Sequence, residues 1–277
     1  MEVELINTGY FKLDGGAMFG VVPKSLWQKT NPADENNLCS WAMRSLLIKE
    51  GNRAILIDNG MGNKQSERFF SYYYLHGNDS LSGNLNSLGL QENDITDMML
   101  THLHFDHCGG GIKYEGEHLV PNFPNATYWS NEEHWQWATE PNTREKASFL
   151  SENILPMQKS GQLKFISLES QQDLPFDIIF VNGHTEKMML PKLDYKGRTL
   201  VFVADLVPSV GHIPIPYVMG YDTRPLLTMK EKGEFLKLAA DEHYVLVFQH
   251  DPVNECCTVK HTERGVRVDE IFPFSDI

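Results

Sequence analysis

Met98-Met-Leu-Thr-His102-Leu-His104-Phe-Asp106-His107-Cys-Gly-Gly-Gly111 is an apolar run that ends in four side chains able to bind a metal. Successive side chains of an extended backbone alternate between faces, so His102 and His104 project from the same side and can share one ion. As the chain turns out of the strand, Asp106 and His107 can point to the far side of that ion. Gly109 to Gly111 let the backbone bend without a Cβ penalty. The pattern therefore has room for two metals. Neutral imidazole and carboxylate suit Zn²⁺ and also accept Fe or Mn, and no accompanying thiolate set marks a structural zinc.

Three more candidate ligands stand at the ends of apolar runs. His184 follows Ile178–Asn182 through Gly183, Asp205 follows Val201–Ala204, and His250 follows Val245–Gln249. Each alone would be an ordinary loop residue, but ligands in α/β sheets gather where strands end, and all three share that position with the histidine cluster. Further β-like runs are Val3–Asn7, Ser45–Lys49, Ala54–Asp58, Thr127–Trp129 and Thr199–Ala204, several nearly continuous in apolar residues, as in strands buried on both faces. Helices are expected over Asn63–Leu75, from Ser130 with Glu133 at capping-box spacing, over Arg144–Lys159 ending near Pro156, and over Thr223–Ala240. The last has Pro225 in its first turn and Leu227, Phe235, Leu236 and Leu238 for a buried face. Strands alternating with helices predict an α/β layered fold. The loops Leu13–Ala33 and His76–Gly89 have the length of lids or pocket walls and equally of packed surface loops, with Met18, Phe19 and Trp27 as exposed-looking apolar candidates for a substrate pocket.

The 277 residues carry 24 Lys and Arg against 37 Asp and Glu, a formal net charge of −13, with 41% hydrophobic content. This is the composition of a globular protein able to bury a full core, and ligands drawn from positions 102 to 250 predict a single domain over residues 1–277. The acidic balance, without a Lys/Arg cluster, argues against a nucleic-acid partner and hence against a nuclease. No run approaches the ~18 apolar residues of a membrane span and no leader pattern opens the chain, so a cytoplasmic location is expected. The four cysteines, Cys39, Cys108, Cys256 and Cys257, lack CxxC spacing and read as reduced thiols. Cys108 reads as a small buried neighbour of the metal loop rather than a nucleophile. Of eleven histidines, six (His76, His118, His134, His212, His243 and His261) stand singly and read as ordinary surface or core residues. Phe69, Phe70 and Tyr72 to Tyr74 fit either core packing or an apolar pocket wall.

Taken together, these motifs resemble the metallo-β-lactamase-fold hydrolase superfamily along nearly the whole chain. The matching elements are Ile55-Leu-Ile-Asp58-Asn-Gly60, the HxHxDH run His102–His107, Gly183-His184-Thr185, Ala204-Asp205 and Phe248-Gln-His250-Asp251. The resemblance implies a four-layer αββα sandwich with the site at one edge. It implies that His102, His104 and His184 bind a first metal, that Asp106, His107 and His250 bind a second, and that Asp205 bridges them. Asp58 would orient a ligand histidine from behind. Phe248–Asp251 and Ala204–Leu206 look closest to the N-acyl-homoserine lactonases and the methyl parathion hydrolase-like enzymes. Two departures bear on the substrate: Pro208 stands where the lactonases typically place a tyrosine, and Glu186-Lys187 follows Gly-His-Thr in place of Pro-Gly.

Two divalent ions, zinc first, would yield a bridging hydroxide at neutral pH. It would attack an ester or lactone carbonyl while Asp106 carries a proton to the leaving group. The expected partner is a small ester or lactone, N-acyl-homoserine lactones included, with no nucleic acid and no membrane, and a homodimer is the assembly to test. The alternatives are a glyoxalase II-type thioesterase and a phosphotriesterase. A ribonuclease of the same fold lacks the basic arm it would need, a flavodi-iron redox protein lacks chain for its flavodoxin domain, and a metal-free binding protein would not keep the ligands.

Overall fold

The apolar runs become two six-stranded mixed sheets in the computed structural model, which describes residues 1–167 and 174–277. The chain divides into two compact units, one of residues 1–9 and 43–175, the other of 10–42 and 176–277. Among the described residues no helix is long and apolar enough to cross a membrane.

The first sheet contains β1 (Glu2–Asp14), β2 (Leu38–Glu50), β3 (Arg53–Ile57), β4 (Asp97–Met99), β7 (Thr127–Ser130) and β8 (Leu163–Phe165), in that order, with the hairpin β5 (Ile112–Glu115) and β6 (His118–Pro121) apart from it. β2 and β3 are antiparallel, whereas β3, β4, β7 and β8 run parallel. Asp58 and the histidine run therefore leave the same edge, just past the ends of adjacent parallel strands. The core of this unit gathers Leu47, Leu56, Met98, Leu103, Tyr128, Trp135 and Met157. Arg53 pairs with Asp97 at 2.6 Å, and Trp129 Nε1 donates to the same carboxylate at 2.8 Å.

In the second sheet the order is β14 (Gly265–Phe272), β13 (Cys256–Thr262), β12 (Val245–Val247), β11 (Arg198–Phe202), β10 (Met188–Tyr195), β9 (Asp177–Val181). β9–β10 and β10–β11 are antiparallel and β11–β12 parallel, so β9, β11 and β12 point the same way. His184, Asp205 and His250 follow those three strands and emerge at one edge. The helix Pro225–Asp241 buries Thr228, Lys232, Phe235, Leu236, Ala239 and Ala240.

Several expectations need correction. Only Glu67–Ser71 of Asn63–Leu75 is helical, because Ser66 caps the helix by accepting from Phe69 N. The helix expected from Ser130 starts one residue later, with Asn131 accepting from His134 N at its cap. Arg144–Lys159 reduces to Ser151–Lys159, which continues past Pro156. Leu238 is exposed; the buried face runs instead through Thr228 and Lys232 at helical spacing. The loop Leu13–Ala33 holds the end of β1 and the short helices Gly15–Phe19 and Lys24–Trp27, and the helix Leu81–Ser87 lies within His76–Gly89. Met18, Phe19 and Trp27 are buried rather than exposed. Phe19 stacks on Trp27 and on His212, at centroid distances of 5.3 and 4.3 Å.

Candidate metal centre

In the first unit a buried carboxylate organises the histidine run. Asp58 sits just past β3 at φ 57°, a backbone region that costs a non-glycine residue of order 1–3 kcal/mol and recurs at functional sites. Its oxygens accept from Thr101 N and Thr101 Oγ1, both at 2.8 Å, and from His107 Nδ1 at 3.0 Å. His107 thus keeps its proton on Nδ1 and turns its Nε2 lone pair away from Asp58. The Thr101 hydroxyl spends its proton on Asp58, so at 3.1 Å from His102 Nδ1 it accepts the ring proton. His102 likewise presents Nε2. His104 is reversed: Nε2 meets Glu145 Oε1 at 3.3 Å and Nδ1 faces His102 Nε2 at 3.0 Å.

The consequence is electrostatic. With those tautomers, two buried nitrogen lone pairs point at one another across 3.0 Å. A cation turns that repulsion into attraction, so this donor set fits a divalent metal. Asp106 lies in the single-turn helix Phe105–Cys108, with one carboxylate oxygen 3.6 Å from His107 Nε2. Cys108 is fully buried, donates to Leu103 O at 3.3 Å, and has its thiol pKa pushed far up by burial, which removes it as a nucleophile. The glycines that follow are needed for close approach rather than for a sharp bend. Gly109 has ordinary helical angles, but a Cβ there would lie 2.2 Å from Met61 O, and one on Gly110 2.2 Å from Asn59 O.

The second unit holds the other three candidates in the same manner. His184 Nδ1 meets Asp222 Oδ1 at 2.9 Å and its Nε2 lies 3.1 Å from Asp205 Oδ2. His250 Nδ1 donates to Ala42 O at 2.7 Å, leaving Nε2 3.0 Å from Asp205 Oδ1. Asp205 is thus flanked by two imidazoles, one at each oxygen. The preceding Ala204 has φ 39°, the strained turn that swings Asp205 out of the strand. Burial works against a charged His184, but Asp205 and then Asp222 outweigh it and raise its pKa to about 10. A metal taking Nε2 must displace that proton. Gly183 allows the chain to reach the next helix, since a Cβ there would lie 2.3 Å from Thr228 N.

Three supporting residues, Glu145, Asp222 and His134, are not marked by any motif in the sequence. Glu145 and Asp222 are buried acids whose only sequence signal is a charge inside an otherwise ordinary segment. His134, read as an ordinary histidine, is fully buried and accepts from Leu103 N at 2.9 Å, which holds the backbone between His102 and His104. His212 is also buried, whereas His76, His118, His243 and His261 are exposed. Phe69 and Tyr73 pack on Phe105 at 5.3 and 4.7 Å, while Tyr72 and Tyr74 are exposed.

Buried histidines and aspartates gathered just past strand ends, several with a ring nitrogen tied to a carboxylate or carbonyl behind them, form a donor set suited to a metal-using enzyme. The metallo-beta-lactamase superfamily profile matches residues 44–250, and the chain belongs to that superfamily. It is a metal-dependent hydrolase with that superfamily's fold, an α/β sandwich of two mixed sheets flanked by helices. Among solved structures it is similar to a probable metal-dependent hydrolase from Staphylococcus aureus, at 27% identity and TM-score 0.86, over 98% of this chain and 96% of that one. It is similar in fold to the hydrolase AbOPH of the beta-lactamase superfamily, at 23% identity and TM-score 0.79 over 98% and 94% of the two chains. The same holds for AidC, a dizinc quorum-quenching lactonase in complex with its product, at 22% identity and TM-score 0.77 over 98% and 95%.

Proposed function

We propose that this enzyme uses a dinuclear metal centre to hydrolyse an ester or lactone, with N-acyl-homoserine lactones as the first substrates to try. The supporting observation is the facing pair of imidazole lone pairs on His102 and His104, 3.0 Å apart. Following the superfamily pattern, His102, His104 and His184 are assigned to one ion and Asp106, His107 and His250 to the other, with Asp205 shared, and residues 1–277 are read as a single domain. Zinc is the first metal to test, with Fe and Mn next. Bound there, two such ions supply Lewis-acid polarisation of a carbonyl and a water nucleophile competent at neutral pH.

The residues of the chain do the rest. Asp58, Thr101, Asp222 and the Ala42 carbonyl hold ring protons away from the site. Asp106, with a carboxylate oxygen 3.6 Å from His107 Nε2, is assigned to relay a proton to the leaving oxygen. Met18, Phe19 and Trp27 are assigned as the packed backing of an apolar substrate wall. The lactone reading draws on likeness to lactonases such as AidC, whose structure holds N-hexanoyl-L-homoserine. Pro208, in place of the lactonases' tyrosine, favours keeping thioesters and phosphotriesters as the second reading. The reading includes a cytoplasmic location.

The test is a substrate panel of acyl-homoserine lactones, aryl esters, glutathione thioesters and phosphotriesters, run with Zn²⁺, Mn²⁺ and Co²⁺. Lactone turnover abolished in His102→Ala supports the reading. Turnover of glutathione thioesters alone replaces the substrate, and undiminished hydrolysis by His102→Ala or by metal-free enzyme ends the metal mechanism.

A further inference from the structure

The metal ligands His102 and His107 owe their tautomers to Asp58 and Thr101, residues near the motif in the sheet. His104 does not. Its ring is 8% exposed, and its Nε2 is directed to Glu145, 41 residues away in sequence and 3% exposed. Glu145 is itself gripped. Its second oxygen accepts from Trp137 Nε1 at 2.6 Å and from Asn142 Nδ2 at 2.7 Å, and its backbone N–H donates to Asn142 Oδ1 at 3.1 Å. Phe149 packs on the His104 ring at 4.8 Å and fixes its plane.

We propose that Glu145 is a positioning residue that selects the Nε2–H tautomer of His104 and so makes it bind metal through Nδ1. A carboxylate can only accept hydrogen bonds. Facing Nε2, it requires the proton there and leaves the Nδ1 lone pair beside His102 Nε2. The Trp137 and Asn142 donors keep the acid oriented, so its other oxygen always meets the ring. This inference rests on the metal-centre reading above and adds to it the cause of the reversed ring.

The arrangement makes the isosteric variant informative. In Glu145→Gln the side chain has one acceptor and one donor end. Trp137 and Asn142 both donate, so the amide oxygen turns to them and the NH₂ faces His104 Nε2. The imidazole must then accept at Nε2 and carry its proton on Nδ1, where the metal should bind. Shape is preserved while the Nδ1 lone pair is withdrawn from the metal.

The wild-type protein, stripped of metal and ¹⁵N-labelled at histidine, is examined first by NMR. The expected spectrum has His104 protonated at Nε2 while His102 and His107 are protonated at Nδ1; a His104 proton on Nδ1 overturns the proposal without any variant. Zn²⁺ affinity is then measured by chelator competition on wild type and on Glu145→Gln. The expected result is two ions in the wild type and affinity for one of them lowered about 10–100-fold in the variant, with His104 switched to Nδ1–H. A folded variant that keeps both affinities and the original tautomer also overturns it. Wild-type protein that takes up no metal would instead sink the metal-centre reading, a distinct outcome.

Discussion

Asp58 is fully buried and serves three donors from Thr101 and His107, so its removal is felt in both folding and ligation. Asp58→Asn places an amide where an acceptor is needed and turns the His107 ring toward the wrong tautomer. The expected outcome is a loss of about 10–100-fold in affinity for one metal ion, together with a stability loss of about 1–3 kcal/mol for the mispaired buried group. Chelator competition and urea denaturation of the metal-free protein read the two effects separately. Gly110 gives a purely steric counterpart. An added methyl meets the Asn59 carbonyl at 2.2 Å, backbone that cannot swing aside. Gly110→Ala should destabilise by about 1–3 kcal/mol through overpacking, and the metal-loop histidines should show shifted NMR resonances.

The helix Pro225–Asp241 carries an unusual buried residue. Lys232 is fully buried, and its ammonium donates to the carbonyls of His212, Pro214 and Tyr217 at 2.9, 3.2 and 2.7 Å. It closes the strandless segment after Asp205 onto the helix. Lys232→Met leaves those carbonyls without their donor and should cost about 2–5 kcal/mol, read by urea denaturation. At the next position along the chain, Gly233→Ala meets only Ile215 Cδ1 at 3.7 Å. It should stabilise the protein by about 0.5–1 kcal/mol, since glycine is a poor helix former. This helix also measures how much was legible in the sequence. Its extent was, because Pro225 and the apolar spacing mark it. Its inner face was only partly so, because nothing local says that a lysine will find three carbonyls. The parallel centre strands were legible from their unbroken apolar runs. β8, β13, β14 and the β5–β6 hairpin were not, since polar and apolar residues mix along them and pairing across the sheet supplies their stability, and β10 was not because Pro191 interrupts its apolar run. At the site, the strand-end ligands were legible from their clustering. Glu145, Asp222 and His134 were not, because their roles arise from contacts tens of residues away in sequence.

For the protein as a whole, His212 is one group that makes stability depend on pH. Its Nε2 donates to Met18 O at 2.8 Å and its Nδ1 accepts from Ser209 Oγ at 2.9 Å, so it is held neutral. Burial is the main cause that lowers its pKa to about 3. The unfolded chain takes up this proton near the ordinary value of about 6.5, while the folded one does not. The stability His212 contributes is therefore fully present above that value and is lost as pH falls towards 3, by up to about 1.4 kcal/mol per pH unit. Urea midpoints for wild type and His212→Gln should differ most above pH 6.5 and converge at pH 4. Metal acts on the same equilibrium: chelation should lower the thermal midpoint and added Zn²⁺ restore it, because ions that bind only the folded state stabilise it. The unit boundaries also bear on biosynthesis. The first unit draws on no residue beyond Pro175, whereas the second joins Tyr10–Ala42 to Phe176–Ile277. On the ribosome, the early segment with Phe19 and Trp27, both buried in the finished protein, emerges more than a hundred residues before the rest of its unit. At about 5–20 residues per second, that is several seconds or more of exposed aromatic surface. Nascent chains should accordingly recruit chaperones during this interval and release them only as the second sheet is completed.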